Sequence, residues 1–277
     1  MDNHPSSGLQ RCPTNTLSLH PEDVYKDLMA PRARNLFDPS VDKPFRLSRS
    51  KIDLFMKCGR CFYLDRRLGI SQPSGPPFSL NTAVDELLKR EFDTCREAQR
   101  PHPLMTANGI DAVPFKHPDL DVWRDALRRG ISFPLPKTNL VITGGIDDVW
   151  VNTKGELYIV DYKATAKNGE VSLDADWQIG YKRQVEIYQW LFRGNNFKVS
   201  ETAYFVYCNG DKERPAFDGR LDFSIKVIPY NGSTDWIEPA LYKLFETLTS
   251  PNLPEPAQEC EHCKYRAQAS AVETWSR

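Results

Sequence analysis

Residues Gly144–Thr165 read GGIDDVWVNTKGELYIVDYKAT, two apolar runs on either side of Asn152-Thr153-Lys154-Gly155. Asn at one end of that quartet and Gly at the other fit a type I turn closed by a left-handed glycine, a common three-residue hairpin loop. Such a turn sets the register. Asn152 opposes Glu156, Val151 opposes Leu157, Val149 opposes Ile159, Asp147 opposes Asp161 and Gly145 opposes Lys163. Side chains alternate along a strand, so Asp147, Asp161 and Lys163 share one face, while Asp148 and Tyr162 lie on the other. A slip of one residue would exchange Asp147 for Asp148.

Two carboxylates directly opposite each other, with β-carbons about 5 Å apart, repel. A purely structural sheet gains nothing from that pairing, but a divalent cation between the acids reverses its sign. Hard Mg²⁺ takes one or two carboxylates together with waters and phosphate oxygens. Bound metal acidifies water and neutralises charge on a phosphodiester. Lys163 beside it would position or help deprotonate that water and support developing charge.

Outward from the hairpin the pattern is mixed. Ser48 is placed to cap a helix carrying Ile52, Leu54 and Phe55, and Asn81 a second with Val84, Leu87, Leu88 and Phe92 on one face. A short helix is expected near Leu120–Leu127, and strands at Leu140–Thr143, Gly144–Val151 and Glu156–Lys163. A strong helix follows with Ile179, Val185, Ile187, Tyr188 and Leu191. Strands at Thr202–Tyr207 and Leu221–Ile228 and a helix over Thr234–Leu248 complete the pattern. Strands flanked by helices in this order predict an α/β or α+β fold around a central mixed sheet. Residues 1–43, rich in Pro, Asn, Asp and Ser, read as a loosely ordered arm. Residues 44–266 then form the folded domain and 267–277 a flexible tail.

The chain has 277 residues, 40% of them hydrophobic and 26% charged, enough for a buried core. Its net charge of -1 excludes a strongly basic body that coats nucleic acid without selectivity. No segment approaches the roughly 18 consecutive apolar residues of a membrane span. The opening MDNHPSSGLQRC has no apolar signal core, so a soluble, cytoplasmic protein is expected. Locally, residues 46–67 carry seven basic residues against Asp53 and Asp65, a patch able to track a phosphate backbone. Tyr162, Tyr181 and Trp190 are candidates for stacking on bases.

Seven cysteines, an odd number in a presumed reducing compartment, argue against a disulfide framework. Cys58-Gly59-Arg60-Cys61 and Cys260-Glu261-His262-Cys263 are two C-x-x-C pairs. Two such pairs supply the four thiolates of a tetrahedral metal site. Zinc and an iron–sulfur cluster both accept four thiolates.

Five spaced elements together resemble the PD-(D/E)XK nucleases of the RecB type, including the CRISPR-associated exonucleases. They are LSRSKIDLFMKCGRCFYL at 47–64, GGID ending at Asp147, VDYKA around Asp161 and Lys163, Gln184-Val185-Glu186-Ile187-Tyr188, and CEHC at 260–263. The resemblance implies a restriction-endonuclease-like core and Mg²⁺- or Mn²⁺-dependent cleavage of DNA phosphodiesters in repair, recombination or defence. The substrate would be single strands or duplex ends. It implies that Asp147 and Asp161 bind metal and that Lys163 is the catalytic lysine. Gln184 and Tyr188 would lie over the site and contact the DNA backbone. Many relatives carry a metal-binding His in a G-x-x-x-H-x-x-L context; Asp85 stands at that place here, within Asn81–Leu88, and is a candidate third metal ligand. Iron–sulfur members close a [4Fe–4S] cluster with one early and three late cysteines; here Ala269 falls where the last would lie, and Cys61 is the substitute. A module of the same fold that holds nucleic acid without cutting it is the alternative expectation.

Overall fold

The computed structural model describes residues 31–75 and 79–275. Strand β1 (Phe45–Ser48) leads into α1 (Arg49–Lys57) and α2 (Gly59–Arg67). Next come α3 (Ser79–Glu97), α4 (Pro103–Ala107), β2 (Ala112–Pro114), α5 (Leu120–Arg124), β3 (Ile131–Pro134) and β4 (Leu140–Gly144). The hairpin is β5 (Asp148–Asn152) and β6 (Leu157–Thr165). A 3-10 turn at Asp176–Gln178 opens α6 (Ile179–Gly194), followed by β7 (Thr202–Gly210), β8 (Phe223–Asn231), α7 (Ile237–Thr249) and α8 (Glu261–Trp275).

The hairpin closes in the expected register: Val149 pairs with Ile159 and Val151 with Leu157. Gly155 has φ +73°, the left-handed conformation that the turn demands. The Asn152 side-chain oxygen accepts from the amides of Lys154 and Glu156, which locks the turn from within.

The strands form two mixed sheets rather than one. A five-stranded sheet runs β2-β5-β6-β7-β8, parallel at β6–β7, and a three-stranded sheet runs β1-β4-β3, parallel at β1–β4. The division falls where one continuous strand was expected, at Gly145–Asp147. A β-carbon on Gly145 would lie 2.2 Å from the Ala126 Cβ, and one on Gly144 would lie 2.5 Å from the Tyr188 ring. The chain leaves the ladder there: the Ile146 amide donates to the Trp123 carbonyl and the Arg124 guanidinium to the Asp147 carbonyl. Both sheets are flanked by helices, as expected.

Helix α6 packs against β3, β4 and β6 and therefore touches both sheets. This explains why every residue from Gln184 to Phe192 is buried, although an amphipathic helix would bury only a stripe. Its apolar side chains join Ile142, Val149, Ile159 and Phe205 in the larger core. The other face of the five-stranded sheet is covered by α3, with Leu88 and Phe92 on Trp150, Val160, Tyr162 and Val206. Leu87, expected on that face, is exposed.

Of the arm read over 1–43, residues 1–30 lie outside the described residues. Residues 31–43 pack onto the fold: Phe37 is buried edge-on against Phe45 and Phe245, and its amide donates to the Arg66 carbonyl. Over residues 267–275, read as tail, the chain continues helix α8. Among the described residues no helix is long and apolar enough to cross a membrane.

Candidate active site

A cavity of about 450 Å³ opens at the end of the hairpin, between the starts of α1, α3 and α6. Asp85, Asp147, Lys163 and Gln184 line it together with Arg49, Asn81 and Tyr181. Asp147 projects from the break between β4 and β5. Its Oδ2 accepts the Tyr162 amide at 2.9 Å, so the backbone of β6 fixes the carboxylate. Asp85 reaches the cavity from the second turn of α3. Asp161 lies beneath, fully buried and ion-paired with Lys163. Apart from that ion pair, neither Asp161 oxygen has a hydrogen-bond partner. Tyr188 is buried below Gln184, whose amide donates to the Tyr188 hydroxyl at 3.2 Å.

The electrostatics mark the site as a cluster of crowded carboxylates, with Lys163 on Asp161 and Lys89 beside Asp85 and Asp147. Burial drives the Asp161 carboxyl above the usual carboxylate range; Lys163 opposes the shift and Asp147 adds to it. Burial also raises Asp85, again with the charge of Asp147 adding and Lys89 opposing. Burial pulls the Lys163 ammonium down, but Asp161 and Asp147 outweigh it and leave Lys163 above its ordinary value. Lys163 also lies 4.6 Å from the centre of the Tyr181 ring, a cation–π contact that favours the charged form.

Two residues of the site escaped the sequence reading. Lys89 sits 2.7 Å from the Asp85 carboxylate and 3.8 Å from that of Asp147. Its spacing of four from Asp85 on one helix was the available signal. Arg49 was counted only within the basic patch, yet it alone of that patch lines the cavity. Much of the rest of the patch is spent internally. Lys51, Arg66 and Arg32 converge on buried Asp65, Lys57 pairs with Asp53, and Arg46 donates to the Arg129 carbonyl. The expected stacking residues also divide. Tyr162 is buried with its hydroxyl donating to Asp148, Trp190 is buried with its indole donating to Glu238, and Tyr181 borders the cavity.

Asp148 takes the opposite face. It is fully buried and receives Arg96, Arg124 at 3.2 Å, the Tyr162 hydroxyl at 2.8 Å and its neighbour's amide. A buried charge is tolerated only when paired and hydrogen-bonded, and Asp148 has no capacity left for a ligand.

The second site joins the chain's two C-x-x-C pairs. Cys58 caps α1 and opens α2, Cys61 lies one turn on, and Cys260 and Cys263 sit at the start of α8. Their four sulfurs all lie within 4.8 Å of one another, and none is in a disulfide. Burial pushes the Cys58 thiol up, but backbone hydrogen bonds from Ala257 and Cys61 outweigh it and hold it at about 7. Among the described residues this is the one group of three or more ligating side chains drawn together so tightly. Four such donors can bind a metal. His262 is exposed and outside the group, Cys95 and Cys208 are buried singly, and Cys12 lies outside the described residues.

The family of this fold follows from sequence comparison. The chain matches the PD-(D/E)XK nuclease superfamily over residues 46–268 and belongs to it. Such nucleases act with divalent metals on nucleic acid. A search of curated proteins returns no match. Among solved structures, the crystal structure of SSO0001 is 18% identical at a TM-score of 0.39, over 89% of this chain and 91% of that one.

Proposed function

We propose that the protein is a Mg²⁺- or Mn²⁺-dependent deoxyribonuclease that hydrolyses phosphodiesters at DNA ends or in single strands, an exonuclease of repair, recombination or defence. The observation that carries this reading is the Asp161–Lys163 pair: a fully buried carboxylate with acceptor capacity unused, beside a lysine that faces the cavity shared by Asp85 and Asp147.

These residues fit a divalent ion by donor type, while Lys89 and Lys163 hold the places beside them and, among the described residues, the carboxylates are not drawn together as the four cysteines are. Asp85, Asp147 and Asp161 would hold it, and when bound it would acidify water and offset phosphate charge. The chain's own groups supply the rest. Lys163 is held cationic by its two acidic neighbours, so it serves as a fixed positive charge for the phosphoryl oxygens rather than as a base. Arg49 at the cavity wall adds a second cation for the backbone phosphate. Gln184 orients a phosphate or water through its amide, itself held by Tyr188.

Beyond Lys163 the hollow continues past Lys167 to Trp177, an exposed indole set edge-on to Tyr181. An open aromatic face beside a catalytic lysine suits stacking on an unpaired base, which favours single-stranded or frayed substrate. One feature favours the alternative, a binding module that does not cut. Lys89 already pairs with Asp85 and stands beside Asp147.

The deciding experiment incubates purified full-length protein with end-labelled single- and double-stranded DNA and RNA, with Mg²⁺, Mn²⁺ or chelator. Metal-dependent DNA shortening that Lys163→Ala abolishes without loss of fold supports the proposal. Binding without cleavage of any substrate would transfer the chain to the alternative.

A further inference from the structure

We propose that Cys58, Cys61, Cys260 and Cys263 hold a single zinc ion and not the [4Fe–4S] cluster that the family resemblance implies. The inference stands on the thiol geometry and is independent of the catalytic reading.

One tetrahedral ion with Zn–S bonds of about 2.3 Å places its sulfurs about 3.8 Å apart. The separations are 3.5 Å for Cys61 to Cys260, 3.5 Å for Cys61 to Cys263 and 3.9 Å for Cys58 to Cys263, and no pair exceeds 4.8 Å. In a four-iron cluster each thiolate ends on its own iron at a separate corner. The sulfurs must then stand on the order of 6 Å apart, with inorganic sulfide between them. The space enclosed by these four thiols has no room for that core.

The backbone sets where the thiols stand. Cys58 is fixed at the junction of α1 and α2, and its sulfur is tied by backbone bonds from Ala257 and Cys61. Cys61 is buried within α2. Cys263 lies in the first turn of α8, and the Lys264 amide donates to the Cys260 carbonyl, so the second pair turns as one unit. The donor set suits zinc in charge as well. Four thiolates around a dication leave a net negative centre, and Arg60 and Arg266 line the hollow beside Cys263.

The test is anaerobic purification of the full chain from cells supplied with both iron and zinc, followed by elemental analysis, sulfide assay and an absorption spectrum. A colourless protein with about one zinc per chain and no acid-labile sulfide is the expected result. Replacement by Co²⁺ should give the intense visible bands of a tetrahedral thiolate site, and Cys61→Ser should lower zinc content. A brown protein with about four irons and matching sulfide overturns the proposal. So does a chain that carries no metal and takes up no Co²⁺.

Discussion

Asp147 and Asp148 are adjacent in the chain at the start of β5 and project in opposite directions, the first toward an open cavity and the second inside a cage of Arg96, Arg124 and Tyr162. The same carboxylate is therefore a candidate ligand at one position and a structural anion at the next. Asp148→Ala should leave two guanidinium groups without their buried partner and cost about 3–5 kcal/mol. Asp147→Asn should leave unfolding nearly unchanged while weakening Mn²⁺ binding. Urea denaturation and metal titration of both variants separate the two roles; equal destabilisation would refute the assignment.

Lys89 occupies the charge position between Asp85 and Asp147 that a metal would take. Lys89→Met should remove that competitor and leave two carboxylates to repel each other. Mn²⁺ affinity measured by calorimetry should then rise severalfold, and the metal-free variant should melt earlier. Weaker binding in the variant would show that Lys89 supports the ion rather than opposing it.

Metal binding should also depend on pH, with a definite sign. Burial holds Asp161 and Asp85 above their ordinary carboxylate values, so protons compete with the ion. The charged form of each raised acid costs folding stability as pH climbs from the unfolded value through the folded one. A bound dication removes that cost. The melting-temperature gain from Mn²⁺ should therefore grow from pH 5 to pH 8, and Asp161→Asn should flatten the dependence. A gain independent of pH would rule out Asp161 as a ligand.

On the acid side Asp65 acts in the opposite direction. Burial raises its carboxyl, but bonds from Arg66, Lys51 and Ser71 outweigh this and bring it down to about 2. Its contribution, about 1–2 kcal/mol after allowance for solvent screening, is present above the unfolded value near 4 and is lost as pH falls through the folded one. Asp65→Asn should lower stability at pH 7 and shrink the difference by pH 2, which chemical denaturation across that range can read.

Trp177 supplies a test of substrate form. Trp177→Ala should weaken single-stranded DNA binding about tenfold, given about 1–3 kcal/mol per stacked base, with little change for blunt duplex. Trp177→Phe should restore most of it. Fluorescence anisotropy with cleavage blocked by Lys163→Ala measures this apart from catalysis; equal losses on both DNA forms would argue against stacking.

The hairpin was legible because its turn is written locally: Asn152 and Gly155 dictate the loop, and alternation then places every side chain of β6. What the pattern left hidden depended on partners far away in sequence. Gly144 and Gly145 read as strand, yet Ala126 and Tyr188 crowd them and split the sheet. The apparent basic patch looked continuous because nothing in residues 46–67 reveals that Asp65 gathers two of its cations, Lys51 and Arg66, together with Arg32 from outside it. Lys89 and Trp177 carried only weak local marks, and it is the folding of α3 and α6 against β6 that brings them to the cavity.

The thiol centre also has a mechanical meaning. Cys58 and Cys263 stand 205 residues apart and meet at one point, so a metal there closes nearly the whole folded body into a ring. Tension applied to the two ends of the chain would run through metal–sulfur bonds and bypass the hairpin that carries the acids. In an optical trap β1 and α1, which precede Cys58, should peel away first in either form; the rest of the loaded protein should then hold until that junction ruptures, whereas the chelated protein should come apart at far lower force.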